Sequence, residues 1–466
     1  MEEDFGTMLE TSVASEAVRQ GHTICYSELL ALDPQPAPDI LKVNMPGAMP
    51  LLPIPADRYT SQAFFDLEVE KVFRKTWQFA CREEDIPTPG DTHVFDLIDH
   101  SVLIVRQQDG SIRAFQNVCL HRGRKLMLAN GTRQEFRCPY HGFAWERDGS
   151  FKSCPLPWDF PQIDPDNFAL PEIRLDRWAG FVFINFDDGA PPLLEQLDPI
   201  PHHFDRWNMA DCYKVAHVGK LVPANWKAVA EAFLEAAHVA TTHPQVAMFT
   251  CDANTQYDRL SDHVDRMMTP IGLPSPQVDF GELSEDKVFQ AMVRVGSRAG
   301  INRSDVSLEE GLTARHYGAE LSRQSLLKDT GYDYGYAADA EVLDGISYQF
   351  FPNFAIWGGM GTKTSYRWRP VGRRTDLTLM EVMLYKRHPK GGKGEGVPLR
   401  MLGEDESWAS ATELGFLAGV YDQDQTNLGP LQAGLRDLGS KAIHFGRYTE
   451  LRCRHLHEMI DRYMEA

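Results

Sequence analysis

Residues 117–147, NVCLHRGRKLMLANGTRQEFRCPYHGFAWER, decide how this chain is to be understood. The stretch holds two short pairs of metal-binding side chains, Cys119-x-His121 and Cys138-x-x-His141, with sixteen residues between His121 and Cys138. Thiolate and imidazole groups this close together predict a metal site. Four such ligands fit either one zinc ion or a [2Fe–2S] cluster.

The order of the four ligands favours the iron–sulfur cluster. Structural zinc sites usually take two cysteines from one loop and two histidines from another. A cluster with two cysteines on one iron and two histidines on the other needs the mixed order found here. Gly123, Gly131 and Gly142 would let backbone amides approach bridging sulfides, and Pro139 would stiffen the second loop. The alternative is a structural zinc site in a protein that is not an enzyme.

Length, composition and charge narrow the class of protein. A chain of 466 residues is too long for one ordinary core, and 43% hydrophobic with 24% charged residues is typical of a soluble globular protein. A net charge of −19 argues against nucleic acid and anionic membranes as partners. The eight cysteines form no disulfide framework, and there is no apolar run of about 18 residues and no signal-peptide pattern. We therefore expect the protein in a reducing cytoplasm.

Composition and hydrophobic periodicity along the chain divide it into three parts. Residues 1–56 form a proline-rich arm. Residues 57–190 begin with a helical pattern at 61–80 and continue as short β-rich runs. Residues 191–466 are predicted to form an α+β domain with an antiparallel sheet and helices at its ends, although its polar segment at 255–340 shows few strand signals.

The β-rich runs between residues 92 and 185 alternate with turn signals. Asp109-Gly110 and Asp148-Gly149 stand where tight hairpin turns are expected, because Asp-Gly readily adopts the positive φ of such turns. This part therefore predicts a small all-β domain that carries the two Cys-His pairs on loops between strands.

The motifs CLH at 119–121 and CPYHG at 138–142 resemble those of the Rieske non-haem iron ring-hydroxylating oxygenases, in their large (alpha) subunit. The resemblance implies a Rieske [2Fe–2S] domain at 57–190 and a catalytic domain of the helix-grip, START-like type at 191–466. In that family the cluster receives single electrons, ultimately from NAD(P)H, through a ferredoxin or a reductase, and passes them to a mononuclear iron. A second metal site is therefore expected further along the chain.

Residues 225–244, NWKAVAEAFLEAAHVATTHP, contain the pattern expected of that second site. Two histidines and one carboxylate hold non-haem Fe(II) and leave positions open for O2. His238 and His243 supply the two histidines. Helical spacing would place Glu235 and His238 on one face of a helix, and Pro244 would prevent that helix from continuing.

The resemblance assigns the remaining roles around the second iron. Family members usually carry aspartate at the position of Glu235, where it links a cluster histidine of one subunit to an iron-binding histidine of its neighbour. Asp424, within an Asp-x-x-Asn pattern, is implied as the carboxylate ligand, with Asp422 as the second candidate and Glu413 as the third. Many ring dioxygenases have asparagine where this chain has Ala232, which weakens any transfer of substrate chemistry from them.

The resemblance also implies an assembly and a reaction. A head-to-tail trimer, alone or with a small beta subunit, would bring His141 of one subunit beside Glu235 of the next. The enzyme would use O2 to hydroxylate a hydrophobic, aromatic substrate by dihydroxylation or monooxygenation, or else would demethylate O- or N-methyl compounds. Arg122, Arg124 and Lys125 form either a basic docking patch for an acidic ferredoxin or an ordinary solvated loop.

An apolar pocket should hold the substrate beside the iron. The candidate lining consists of large apolar side chains near the iron-binding segment and along residues 345–359: Phe233, Leu234, Tyr348, Phe350, Phe354 and Trp357. Because side chains alternate along a strand, only one face of that run is expected to meet the substrate. His202-His203 and His455-x-His457 are interpreted as surface or interface residues, since neither pair belongs to a ligand pattern like those above.

Overall fold

The computed structural model describes residues 25–47, 49–295 and 306–465, so that residues 1–24 of the predicted arm lie outside the described residues. Within these ranges no helix is both long and apolar enough to cross a membrane. The chain divides into two compact units. The larger unit comprises the residues up to 61 with 197–368 and 375–462, and the smaller unit comprises 62–196, 369–374 and the residues from 463.

Short elements open the described chain: helices α1 (Tyr26–Leu30) and α2 (Asp39–Lys42) and strand β1 (Ile54–Pro55). Proline lacks the backbone N–H that a helix or a central strand needs, which keeps these elements short. Side chains of the larger unit bind the backbone here, since Arg266 donates hydrogen bonds to the carbonyl oxygens of Ile40 in α2 and of Val43 just after it. The described part of the arm is thereby fixed to the larger unit.

The smaller unit starts with helix α3 (Gln62–Glu68), which passes into a π-helical turn at Val69–Phe73. The prediction of a helix through 61–80 is wrong beyond this turn. Gln78–Arg82 forms strand β2, whose five residues are all buried and which pairs with the strand Phe181–Asn185 through all of them except Ala80 at a register shift. The remaining strands are β3 (Asp91–Leu97), β4 (His100–Arg106), β5 (Ile112–Gln116), β6 (Gly131–Thr132), β7 (Glu135–Arg137), β8 (Ala144–Glu146), β9 (Phe151–Ser153), β10 (Glu172–Trp178) and β11 (Phe181–Asn185).

Two antiparallel sheets build the smaller unit. One has seven strands in the order β2-β11-β10-β5-β4-β3-β6, and the other has three in the order β7-β8-β9. Asp109-Gly110 joins β4 to β5 and Asp148-Gly149 joins β8 to β9, so both predicted turns are confirmed, with glycine φ angles of 83° and 84°. The two Cys-His pairs lie on the loops β5–β6 and β7–β8, as predicted.

From residue 193 onward the described residues form ten further α-helices: α4 (Leu193–Leu197), α5 (Ile200–Arg206), α6 (Trp226–Glu231), α7 (Val239–Thr242), α8 (Pro244–Ala247), α9 (Glu285–Val295), α10 (Ala314–Thr330), α11 (Asp339–Leu343), α12 (Leu417–Leu438) and α13 (Leu451–Glu465). The strands that follow β11 are β12 (Cys212–Val222), β13 (Gln256–Arg259), β14 (Val264–Thr269), β15 (Gly345–Phe350), β16 (Phe354–Trp357), β17 (Lys363–Pro370), β18 (Thr378–Arg387), β19 (Arg400–Met401) and β20 (Ala442–Ile443).

One eight-stranded sheet, in the order β13-β14-β15-β16-β17-β18-β12-β19, forms the frame of the larger unit. The pairs β13-β14, β14-β15, β15-β16, β16-β17 and β18-β12 are antiparallel, and β12 pairs in parallel with the short edge strand β19. The predicted α+β class is thus confirmed. Strands β13 and β14 escaped the sequence pattern because their buried positions include charged residues, among them Asp258 and Arg266, which form an ion pair of 2.6 Å.

The main core of the larger unit lies between the sheet and helices α6 and α12. Most of its buried residues come from β12, β17, β18 and the two helices, and Trp408 joins them from a 3-10 turn; they include Val218, Val229, Trp368, Val382, Tyr421 and Leu428. Because α6 and α12 pack on the same core, the segment after α6 and one face of α12 are brought together, although about 200 residues separate them in sequence.

The two Asp-Gly turns give a test of the smaller unit. Alanine at either glycine must adopt a positive φ, at a cost of roughly 1–2 kcal/mol. A Cβ at Gly149 would also lie 2.5 Å from Cε1 of buried Phe115, whereas a Cβ at Gly110 would meet no heavy atom within 4 Å. We therefore expect Gly149→Ala to lower the free energy of unfolding clearly more than Gly110→Ala. Urea titration of both variants measures this difference, and equal losses would contradict it.

Candidate metal centres

The two Cys-His loops of the smaller unit share one backbone hydrogen-bond pattern. The amide of Gly123 donates to the carbonyl of Cys119 at 2.8 Å, and the amide of Gly142 donates to the carbonyl of Cys138 at 2.9 Å. In each loop the cysteine amide in turn donates to a carbonyl five residues on. Gly131, which was expected to help the backbone approach the sulfides, belongs instead to the β6 strand that pairs with β3.

The side chains of these loops fit a cluster with chemically different ends. Cys119 and Cys138 are buried, and burial together with the neighbouring Cys138 thiol raises the pKa of Cys119, while the amides of His121 and Arg122 hydrogen-bond to its sulfur and lower that pKa. The imidazole rings of His121 and His141 lie together, with centroids 4.7 Å apart.

Both of these histidines keep a nitrogen atom for a ligand. Their Nδ1 atoms are buried and have no hydrogen-bond partner among the described residues. Buried polar atoms rarely lack a hydrogen-bond partner, and coordination to iron would satisfy both nitrogen atoms. Phe143 stacks on His121 at 4.4 Å between centroids and fixes the plane of that ring. The donor set therefore fits a [2Fe–2S] cluster with two thiolate and two imidazole ligands.

The larger unit brings together the three predicted ligands of the second site. One ligand atom from each of His238, His243 and Asp424 lies within 4.8 Å of the others. Nε2 of His243 is 2.9 Å and Nε2 of His238 is 3.6 Å from Oδ1 of Asp424, and the two Nε2 atoms are 3.2 Å apart. Two imidazoles and one carboxylate in one cluster suit a divalent iron with open positions.

The outer nitrogen of each imidazole is held by a neighbouring side chain. Oε1 of Glu235 is hydrogen-bonded to Nδ1 of His238, and Oε1 of Gln423 is 2.9 Å from Nδ1 of His243. An acceptor at Nδ1 fixes the tautomer and leaves Nε2 free to bind the metal. Burial lowers the pKa of His238, but the hydrogen bond and charge of Glu235 and the charge of Asp424 outweigh it, so that its pKa is raised. The site therefore attracts positive charge.

The expected continuous helix over Glu235 and His238 is wrong. Helix α6 starts at its N-cap Asn225 and ends at Glu231, and α7 starts only at Val239. Between them Oε2 of Glu235 accepts hydrogen bonds from the backbone N–H groups of Ala237 and His238. The carboxylate thus replaces the carbonyl acceptors of a helix and fixes a turn, which gives the two residues their contact.

The candidates for the carboxylate ligand are clearly separated in the structure. Asp424 lies on the buried face of α12, not in a solvated turn. Asp422, two residues earlier and therefore on the other side of the helix, accepts hydrogen bonds from Ser407 and from the backbone N–H of Trp408. Glu413 is paired with Arg400 at 3.2 Å. Neither alternative joins the histidine cluster.

Three histidines that were interpreted as surface or interface residues are buried, so that interpretation is wrong for them. Nδ1 of His203 is 2.8 Å from the hydroxyl of Tyr348, and Nδ1 of His455 is 2.9 Å from Asp265. Nε2 of His457 is 2.9 Å from Oε1 of Glu231, which also accepts a hydrogen bond from Tyr59. The sequence patterns could not show these pairs, because each partner comes from a distant element.

A cavity of about 170 Å³ adjoins the histidine–carboxylate cluster. Phe233 and Trp357 line it as predicted, whereas Leu234, Tyr348, Phe350 and Phe354 do not. Tyr348 and Phe350 lie on β15 and belong to the other face of the sheet, as the hydrogen bond of Tyr348 to His203 indicates. Sequence reasoning missed aromatic lining from other elements: Phe249, Tyr366, Phe416 and Tyr421.

A thiolate–imidazole loop pair in one unit and a two-histidine, one-carboxylate cluster in the other are the ligand sets of an iron protein with two different redox centres. Residues 76–163 match the Rieske [2Fe-2S] domain family, and residues 202–466 match the ring hydroxylating alpha subunit (catalytic domain) family. The second match spans more than half of the chain. The chain therefore belongs to the large subunits of the Rieske non-haem iron oxygenases, a family of oxidoreductases.

Relatives of known activity share part of the sequence. The carnitine monooxygenase oxygenase subunit of Escherichia coli (strain K12) is 34% identical over 194 residues, which are 41% of this chain and 52% of that protein. The large oxygenase component of the naphthalene 1,2-dioxygenase system of Pseudomonas putida is 35% identical over 195 residues, which are 39% of this chain and 42% of that protein. The chain thus matches about half the length of these relatives.

Solved structures share the fold over nearly the whole chain. A quaternary ammonium Rieske monooxygenase gives a TM-score of 0.63 at 18% identity, over 88% of this chain and 95% of its own. A naphthalene 1,2-dioxygenase variant bound to phenanthrene gives 0.62 at 18% identity, over 91% and 96%. With the family matches, the predicted fold and the predicted cofactors, a Rieske cluster and a mononuclear iron, are confirmed. The individual ligands remain predictions.

Metal analysis can test the ligand assignment. We expect Asp424→Ala to lose the mononuclear iron, since it removes one of three ligands, while acid-labile sulfide and the visible spectrum of the cluster stay unchanged. Asp422→Ala is the matched control on the same helix, and it should keep the mononuclear iron while losing the bonds to residues 407 and 408. Iron loss in the Asp422 variant alone would show that the ligand is misassigned.

Proposed function

We propose that this protein is a terminal oxygenase that uses O2, with electrons from a ferredoxin or a reductase, to hydroxylate a hydrophobic aromatic substrate of single-ring size. The observation that carries this proposal is the apolar, aromatic-lined cavity beside His238, His243 and Asp424. When bound there, iron supplies the activation of O2, and the cluster supplies electrons one at a time.

The size of the cavity supports a single ring. A cavity of about 150 Å³ with apolar walls binds benzene, and the cavity here has about 170 Å³. Apart from the histidines and carboxylates at the metal-binding cluster, the described residues that line it carry no charge. A substrate with a charged group away from the reacting carbon would therefore lose its hydration without gaining a partner.

Aromatic residues of the chain hold the substrate and exclude water. The hydroxyls of Tyr366 and Tyr421 are 3.1 Å apart and satisfy each other, so that their rings can face an apolar molecule. Phe233 packs on Tyr366 with ring centroids 5.0 Å apart, which fixes the wall next to the iron-binding turn. An apolar wall of this kind keeps bulk water from the reacting atoms.

The surroundings of Glu235 support its proposed role between subunits. Its carboxylate holds Nδ1 of His238 and also borders a second, more open cavity of about 390 Å³. That cavity is lined by further carboxylates, from Glu231 and Glu450. A cluster histidine of a neighbouring subunit, His141, could donate a hydrogen bond to Glu235 there. A homotrimer with head-to-tail contacts would supply that neighbour.

A second candidate function is the oxidation of a quaternary ammonium compound. The relatives that act on carnitine suggest it, and Phe233, Trp357 and Tyr366 stand near the carboxylates of Glu235 and Asp424. Aromatic faces bind such cations well. No lysine or arginine lines the described pocket, however, so a substrate with a carboxylate tail would lack a partner.

Turnover assays separate the two candidates. We expect the reconstituted holoenzyme, with a ferredoxin and its reductase, to consume O2 with toluene and to release a product that contains one or two added oxygen atoms. Carnitine and γ-butyrobetaine should give little product, because their carboxylates find no cation in the pocket. Product from the betaines, with none from toluene, would favour the second candidate, and mass spectrometry of both reactions decides.

Substitution of Glu235 tests the electron path. We expect Glu235→Ala to reduce turnover by about 10- to 100-fold, as loss of a partner that orients a metal ligand usually does. The cluster should still be reduced at the normal rate by dithionite. Glu231→Gln is the control four residues earlier, because Glu231 bonds to Tyr59 and His457 and not to His238. Equal effects of both variants would contradict the assignment.

A further inference from the structure

Another cavity, partly open to solvent, lies next to the iron pocket. This outer chamber has a volume of about 310 Å³, and its apolar lining includes Leu326 of α10, Met360 and Leu384 of β18. Phe416 and Leu417 line both the outer chamber and the iron pocket. The two spaces are therefore separated by a wall that is two residues wide.

The wall lies at the junction between a 3-10 turn and helix α12. Phe416 and Leu417 form the start of α12, directly after Gly415, whose φ of 61° and ψ of −140° suit glycine far better than other residues. Both wall side chains are only partly buried, whereas Leu414 and Ala418 on either side are buried. Residues at the ends of helices and strands commonly absorb the backbone changes of a conformational transition. A rotation of the Phe416 ring would join the two spaces.

The side chains that line the outer chamber are compatible with a neutral, apolar ligand. Its charged side chains are paired: Asp329 lies 3.4 Å from Lys386, and Glu413 lies 3.2 Å from Arg400. The guanidinium carbon of Arg387 stands 3.7 Å from the ring centroid of Tyr332. Paired charges hold no net attraction for an ion. The cavity on the Glu235 side also has apolar lining, but it carries the carboxylates of Glu231 and Glu450, and in the proposed trimer a neighbouring subunit would cover it.

We infer that the outer chamber is the passage by which substrate reaches the iron, and that Phe416 is the specificity-determining wall that opens for it. This inference rests on the proposed function, because it assumes an apolar substrate. It adds an entry route and names Phe416 as the residue that selects substrates by size. A small rotation of the Phe416 side chain would let a single ring through, whereas a larger molecule would enter only if that side chain were removed.

The test blocks the passage and measures binding instead of turnover. Ser325 lines the outer chamber and not the iron pocket, so Ser325→Cys, in a Cys25→Ser background that removes the exposed native thiol, places a reactive group in the passage. N-Phenylmaleimide then adds to that thiol and fills the chamber. Association of toluene with the holoenzyme is followed by stopped-flow quenching of tryptophan fluorescence, since Trp357 lines the iron pocket.

We expect the labelled Ser325 variant to bind and release toluene at least about tenfold more slowly, with an unchanged Kd, because a blocked passage slows both directions equally. The matched control is Leu431→Cys in the same background, labelled in the same way at the cavity on the Glu235 side. Labelled background protein controls for Cys154. Slowing by the Leu431 label instead, or unchanged rates with the Ser325 label, would overturn the inference.

A second pair of variants tests the wall residue. Phe416→Ala should accelerate association of toluene and should let naphthalene bind as fast as toluene. Phe249→Ala enlarges the iron pocket without touching the outer chamber, so it should not accelerate association. Equal acceleration by both would refute a wall role for Phe416. Binding without turnover of toluene would contradict the proposed function and leave the passage standing, whereas failure of the wild type to bind toluene would overturn both.

Discussion

The catalytic unit depends on how the two iron-binding imidazoles are held. A histidine can bind a metal through either ring nitrogen, and the metal site exists only if each ring turns one unprotonated nitrogen inward. Glu235 holds Nδ1 of His238 and Gln423 holds Nδ1 of His243, so that both Nε2 atoms face Asp424. Gln423 is adjacent to Asp424 on α12. One helix therefore supplies both the carboxylate ligand and the group that orients the second histidine.

The position of α12 is determined by contacts in the core of the larger unit. The amide of Asn225, the residue that caps α6, donates to the side chain of Gln432 on α12 at 2.7 Å, and Trp408 donates to Gln425 at 2.9 Å. These bonds lock the register of α12 against the segment with the histidines. Because buried polar groups are costly when unpaired, a shifted helix would break all of them together. The distance between Asp424 and the histidines thus follows from packing far from the metal.

How much the sequence could predict follows from the range over which each signal acts. The cluster ligands and the Asp-Gly turns are local patterns that the sequence predicts directly. The pair His238–His243 is also local, but it is predicted as a metal site only because the family resemblance requires a second site downstream. Asp424 lies far from these histidines in sequence and has other acidic residues nearby, so only the family resemblance could select it. Gln423, His457 and the buried pair Asp258–Arg266 gave no signal, because a buried polar residue looks like a surface residue until its partner is known. The turn at Glu235 was missed for a similar reason, since a side chain that caps its own backbone keeps helical spacing in sequence while breaking the helix.

Helix α12 must hold a metal ligand in place near Asp424, and in our proposal it must also allow movement at its first turn. At Asp424 and beyond it must be rigid, because iron coordination tolerates little displacement, and there it is fixed through Gln425, Gln432 and the buried Leu428. At its first residues, Phe416 and Leu417, it borders open space on two sides and follows a glycine. About two helical turns separate Phe416 from Asp424, so the first turn can move while the hydrogen bonds of the following turns hold the ligand in place. A movable wall and a fixed ligand can therefore share one helix without exposing the metal site to the motion of the wall.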